Sequence, residues 1–248
     1  MLSYILIGLI CGFVDSALGM GFGVTSTTIL VTFGITPAVT SASVHTAEAI
    51  VDILSAIVHH RLGNVDWKLV WKMAIPGVIS AVIGASILSW LSLSVAKPVV
   101  RLILILMGFI VFYRHAFKYE ISGNLSDNKA MLLGFTAGFL DTLGGGGWGP
   151  IGTPSLILSG SDPKKAVGTI EFTEPFVSLA AVLTFGVTIG FESFLWNMTI
   201  PMIIGGLILT PIAGWVTSKI PKRWLGILIG VWLMGLNVYG LLASPKTL

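Results

Sequence analysis

Two groups of residues in this chain have the types and the spacing to do chemistry. The first is a polar stripe, Ser41, His45, Glu48, Asp52, Ser55 and His59, at intervals that place all six on one face of a helix. Glu171, Glu174 and Ser178 repeat the spacing of His45, Glu48 and Asp52 later in the chain. Imidazole and carboxyl groups on such faces can take up and release protons, and His45, Glu48, Glu171 and Glu174 are the proton-coupling candidates. The same four could instead act as cation ligands. The plainer alternative is that the acids are protonated, or paired with His45 and backbone amides, and only hold the halves together. The second group is a pair of glycine-rich breaks, Gly19-Met20-Gly21-Phe22-Gly23 and Gly144-Gly145-Gly146-Gly147-Trp148-Gly149-Pro150. Glycine lets backbone N–H groups turn toward a ligand, and a short helix beginning there aims the positive end of its dipole at the same spot. That combination favours an anion. The candidate binding residues are Gly21, Gly23, Thr25 and Ser26 at the first break, and Gly145, Gly146, Gly147, Trp148, Gly149 and Thr153 at the second. Close helix packing by small residues is the alternative reading of the same glycines.

Asp15 and Asp141 recur just before the breaks, where a carboxylate could cap the broken backbone or hold a proton; capping is the expectation. Asp52, His59 and His60 lie progressively nearer a basic connection and are expected at the interface. Pro76, Pro201 and Pro211 are expected to bend helices or mark first turns, and Pro175 to kink its helix. The sequence has no P-loop, no HExxH and no clustered Cys and His. No cofactor, resident metal or enzymatic activity is expected.

The elements that carry these residues must lie in a bilayer. Of 248 residues, 54% are hydrophobic and only 10% are charged, with a mean hydropathy of +0.94; a soluble domain averages about 25% charged. Charge this sparse cannot cover a water-facing surface. The same composition excludes a disordered chain, and a lone Cys11 excludes a disulfide scaffold. A net charge of +3 is too small and scattered for nucleic-acid binding. The apolar residues fall into blocks at about 4–18, 23–34, 38–58, 69–91, 98–113, 130–143, 148–159, 166–188, 194–217 and 224–243. The first is expected to be a retained helix. This predicts a multi-pass, all-α protein of the cell membrane, with the lipid bilayer as its surroundings. The first two blocks of each half are too short to span, which takes about 20 residues, so broken helix hairpins are expected there.

The two halves resemble each other. At a separation of 126 residues Gly8 matches Gly134, Gly12-Phe13 matches Gly138-Phe139, Asp15 matches Asp141, Pro37 matches Pro163 and Glu48 matches Glu174. At 125, Met73, Ile75, Pro76 and Trp90 match Met198, Ile200, Pro201 and Trp215. An ordered series of this kind marks an internal repeat, expected at 1–116 and 130–248 with a polar cytoplasmic linker at 117–129. Positive charge gathers in cytoplasmic loops. Arg61, Lys68 and Lys72 mark one such connection in the first half, whereas Lys164, Lys165, Lys219, Lys222 and Arg223 lie at non-equivalent places in the second. Lys97 and Arg101 dissent. The swapped bias predicts inverted repeats of about five segments each. Trp67, Trp71, Trp90, Trp196, Trp215 and Trp224 stand near segment ends, as interfacial belts require.

The run from Gly12-Phe13-Val14-Asp15 to Pro37, and its counterpart from Gly138-Phe139-Leu140-Asp141 through Thr153-Pro154-Ser155-Leu156, Gly160 and Pro163 to Ala166-Val167-Gly168-Thr169, resemble the sulfite exporter TauE/SafE family of membrane permeases. The first run departs from the family pattern at Met20, Phe22 and Thr28. The resemblance implies transport of small sulfur-containing anions such as sulfite or sulfonates, usually by export, and adds Thr169 to the binding candidates. Ionised carboxylates would repel such a substrate, so proton coupling by alternating access is the expected mechanism, with a midplane site between the hairpins.

Overall fold

The structure is a computed structural model that describes residues 1–32, 35–90, 105–106, 108–113, 115–117 and 125–243. The described residues form nine α-helices, with helical residues also at 105–106, 108–113 and 115–116 between the fourth and fifth, a short 3-10 turn at Phe191–Ser193, and no strand. They are α1 (Leu2–Leu18), α2 (Phe22–Thr32), α3 (Pro37–Arg61), α4 (Trp67–Trp90), α5 (Asp127–Gly144), α6 (Trp148–Leu158), α7 (Pro163–Thr188), α8 (Trp196–Lys219) and α9 (Lys222–Ala243). Five of them, α3, α4, α7, α8 and α9, are long and apolar enough to cross a membrane.

The bounds follow local chemistry. Pro37 and Pro163 stand in the first turns of α3 and α7, where a missing N–H costs nothing, and Asp162 caps α7 by accepting from the Lys164 amide at 2.9 Å. Pro76, Pro154, Pro175, Pro201 and Pro211 lie inside helices, so Pro76, Pro201 and Pro211 mark no first turn. The connection expected at 59–72 is only residues 62–66, and the expected linker loses its last three residues to α5. Half of the block at 98–113, with Arg101, and the preceding Lys97 lie outside the described residues.

The exterior is apolar, and the interior holds polar and ionisable groups among apolar clusters. Ile200, Ile204, Ile208 and Ile212 form an exposed ridge four residues apart along α8, and all six tryptophans expected in belts are exposed. The buried set includes six acids and two histidines but, among the described residues, no Lys or Arg. That distribution suits lipid surroundings, where helices need no polar exterior.

Glycine seams draw two helix pairs together. Gly8 and Gly12 of α1 lie on the α8 backbone at Met202 and Gly206, and Gly134 and Gly138 of α5 lie on α4 at Met73 and Gly77. A methyl group at Gly12 would stand 2.7 Å from Gly206 Cα, too close to accommodate. The equivalence is reciprocal. It relates α4 to α8 by 129 residues, as Trp67 and Trp196 at their first positions also do, not by the 125 of the sequence match. The basic groups gather at one end: Lys72 pairs with Asp127, Lys165 Nζ donates to the Val65 carbonyl at 3.1 Å and Lys164 Nζ to that of Ser218. From that end α5 runs inward beside α4, while α1 runs toward it beside α8, so the α1–α2 and α5–α6 hairpins enter from opposite ends of the bundle.

Candidate functional site

The hairpin tips meet in the interior. α1 ends at Gly19 and α5 at Gly145, both left-handed (φ 68° and 70°), a turn that glycine alone makes without steric cost. Beyond each turn the chain reverses into α2 or α6. The tips lock through reciprocal contacts: Thr27 Oγ1 donates to the Gly145 carbonyl, and Thr153 Oγ1 to the Gly19 carbonyl at 2.6 Å. Gly23 and Gly146 touch backbone to backbone, as do Gly149 and Gly19-Met20. Much of the glycine content is therefore spent on close approach.

Asp141 and Asp15 cap the reversed helices. Asp141 Oδ1 accepts from the Gly147 and Trp148 amides at 2.6 and 3.0 Å, and Asp15 Oδ1 accepts from the Phe22 amide at 3.2 Å. Internal carboxylates thus already hold amides expected to meet an anion. The two acids differ in their other partners. Asp141 Oδ2 meets His45 Nε2 at 2.9 Å, while His45 Nδ1 faces the Ser41 carbonyl at 2.7 Å. The Ser41 hydroxyl also lies 3.2 Å from Nδ1, so both ring nitrogens have oxygen partners, and the His45–Asp141 pair is fully buried. At the equivalent place in the other half stands Glu171, beside Asp15 rather than a cation. Asp15, Asp52 and Glu171, from α1, α3 and α7, each bring a carboxylate oxygen within 4.8 Å of the others.

The remaining candidates have distinct surroundings. Glu48 lies against Gly23 at the first tip, and Glu174 is buried on α7; each has one oxygen with no donor. Ser55 donates to Glu171 and pairs with Ser16 at 2.7 Å. Ser26 is buried against Cys11 at 3.6 Å, Gly21 holds a positive φ of 138°, and the Thr25 hydroxyl has no partner. The Trp148 ring is core, packed on Gly77, with Nε1 donating to the Ile170 carbonyl at 3.4 Å. Thr169 accepts the Asp66 amide at 2.8 Å, so it fastens the 62–66 connection.

Two residues expected at the interface are instead buried. Asp52 is fully enclosed among acids, and His59 is enclosed because its Nε2 donates to the Ser16 carbonyl at 2.8 Å while Asn64 covers Nδ1 at 3.1 Å; His60 alone is exposed. Asp15 and Asp52 stand beside Glu171, and Asp141 beside His45, although the sequence favours capping over proton holding for Asp15 and Asp141 and places Asp52 at the interface. The signal was available: the separation that relates His45 to Glu171 also relates Asp141 to Asp15.

Hairpins that reverse inside a helix bundle with an apolar exterior, around buried ionisable groups, fit a multi-pass membrane protein. The sulfite exporter TauE/SafE family profile matches residues 4–240, and the chain belongs to that family. It is 40% identical over 243 residues to the probable membrane transporter protein YtnM of Bacillus subtilis (strain 168), covering 96% of this chain and 81% of that one. No solved structure matches. The protein is accordingly a membrane permease and not an enzyme.

Proposed function

We propose that this permease moves small sulfur-containing anions, such as sulfite or organosulfonates, across the cell membrane with protons as the coupling ion. One observation carries the reading: where the hairpin tips meet, helix-start amides already hold carboxylate oxygens, Asp15 at α2 and Asp141 at α6. A sulfite or sulfonate offers oxygens of the same kind. Neutralising a capping acid with a proton releases its amide for the substrate, and the glycines and hydroxyls around Gly21, Gly23, Thr25, Ser26, Gly145 to Gly149 and Thr153 surround the place where it would bind. Thr169, on α7, supports the site by fastening the 62–66 connection. The halves act as inverted repeats of about five segments, at 1–116 and 130–248, and alternating access comes from one hairpin moving against the other.

The test is flux of labelled sulfite and of a small sulfonate in proteoliposomes, with and without an imposed pH gradient. Gradient-driven flux supports the proposal; tight liposomes that pass neither anion refute the substrate class. The buried acids favour a second reading, a cation permease, which competition by divalent metals but not by oxyanions would identify.

A further inference from the structure

The two halves place different chemistry at equivalent positions. His45, Asp141 and Ser178 in one constellation correspond, 126 residues apart, to Glu171, Asp15 and Asp52 in the other. The first contains its own cation: His45 offsets Asp141, whose remaining oxygen holds two amides. The second has three fully enclosed carboxyl groups and no cation. Its donors are few. Asp15 accepts the Phe22 amide at 3.2 Å, and Glu171 accepts from Ser55, which Ser16 backs at 2.7 Å. Asp15 Oδ2, Glu171 Oε1 and both oxygens of Asp52 meet no donor, although the three carboxyl groups each bring an oxygen within 4.8 Å of the others. Three ionised carboxylates within 4.8 Å, away from water, are not sustainable without positive charge between them.

We infer that Asp15, Asp52 and Glu171 form the proton-loading site of the permease, and that His45–Asp141 is a fixed strut for the second hairpin. This rests on the proton-coupled reading above and moves its centre. The proton is held between Asp52 and Asp15 or Glu171, with no bond broken elsewhere, and its arrival neutralises the weaker of the two helix caps. α2, whose first turn Asp15 caps through a single hydrogen bond of 3.2 Å, is the helix start freed by loading; that of α6, capped through two amides by an acid paired with His45, is not. The groups facing the cluster are Glu48 on α3, Glu174 on α7 and, at longer range, Asp141 on α5. From α8 comes the Thr210 carbonyl, beside Ser16 at 3.4 Å. His59, about two turns along α3 from Asp52, is turned to the Ser16 carbonyl.

Infrared difference spectroscopy of the purified protein, between acid and alkaline media, tests this without any substrate. A carboxylic-acid C=O band, sensitive to deuteration, is expected to appear on acidification. It should be lost or shifted in both Glu171→Gln, which keeps the side-chain shape, and Asp52→Ser, which installs the residue found at the equivalent Ser178; His45→Gln should leave it in place. A band unchanged in Glu171→Gln overturns the proposal even if Asp52→Ser does not fold. So does a band abolished at constant pH when sodium or calcium chloride replaces choline chloride, since the occupant is then a metal cation. Failed anion flux with an intact titrating band would refute the substrate reading alone.

Discussion

Asp15 and Asp141 occupy equivalent positions and both cap a reversed helix, yet their removal should have very different consequences. Asp141→Ala takes away the partner of a fully buried histidine and orphans the Gly147 and Trp148 amides at once. Breaking a buried ion pair from one side costs about 3–5 kcal/mol, because the other charge stays behind uncompensated. Asp15→Ala loses one hydrogen bond of 3.2 Å, worth about 1 kcal/mol. It also removes one of three crowded carboxyl groups, which offsets that loss. The expected gap of about 3 kcal/mol corresponds to roughly 6–12 °C in Tm at 2–4 °C per kcal/mol. Heating the detergent-solubilised variants and following the monodisperse fraction measures it. The double variant His45→Gln/Asp141→Asn should recover part of the loss, since the stranded charge is gone, with a coupling of about 1–3 kcal/mol in the cycle. Equal damage from Asp15→Ala and Asp141→Ala, or strict additivity in the cycle, refutes the assignment of a charged strut to one half only.

The glycine run separates packing positions from free ones. A methyl group at Gly146 would strike the Gly23–Val24 backbone, and φ is +139° there, so Gly146→Ala should abolish folded protein. At Gly144 nothing lies within 4 Å, and Gly144→Ala should stay within about 0.5 kcal/mol of the parent; monodisperse yield and Tm check both. Thr153→Val deletes the 2.6 Å bond to the Gly19 carbonyl and should cost about 1–2 kcal/mol, as should Thr27→Val across the pseudo-equivalent contact. The Lys72–Asp127 pair is exposed, so Asp127→Ala should lower stability by less than about 1 kcal/mol, read as a small Tm shift.

Helix positions were legible because proline and glycine punctuate the apolar blocks: Pro37 and Pro163 open α3 and α7, and Gly19 and Gly145 close α1 and α5. Capping by Asp15 and Asp141 was legible for the same local reason. Depth was not. Ending the third block at residue 58 made Asp52 look interfacial, whereas α3 continues to Arg61. Nine further residues at 1.5 Å each put Asp52 about 14 Å from the helix end, close to the centre of a 30 Å core. The burial of His59 depends on Asn64, in the connection that follows α3, and on Ser16, a contact made only once α1 docks. Which acid meets which histidine requires contacts between halves, and spacing within one helix carries no information about them.

An interior with six buried acids and, among the described residues, no buried Lys or Arg is an unusual place to bind an anion. On the proton-coupled reading, electrostatics connect that composition to coupling. A carboxylate about 5 Å from a bound monoanion repels it by roughly 3 kcal/mol at an effective dielectric near 20. Neutralising that one group raises affinity for the anion by a factor on the order of 10². Linkage makes the effect reciprocal: the bound anion favours the proton by the same factor. A lysine at the site would bind the anion whether or not a proton was present, and the gradient could then do no work on it. On the proton-coupled reading, acids left without cations at Asp15, Asp52 and Glu171 make anion binding conditional, while His45 keeps the matching acid at Asp141 from becoming a second, competing switch.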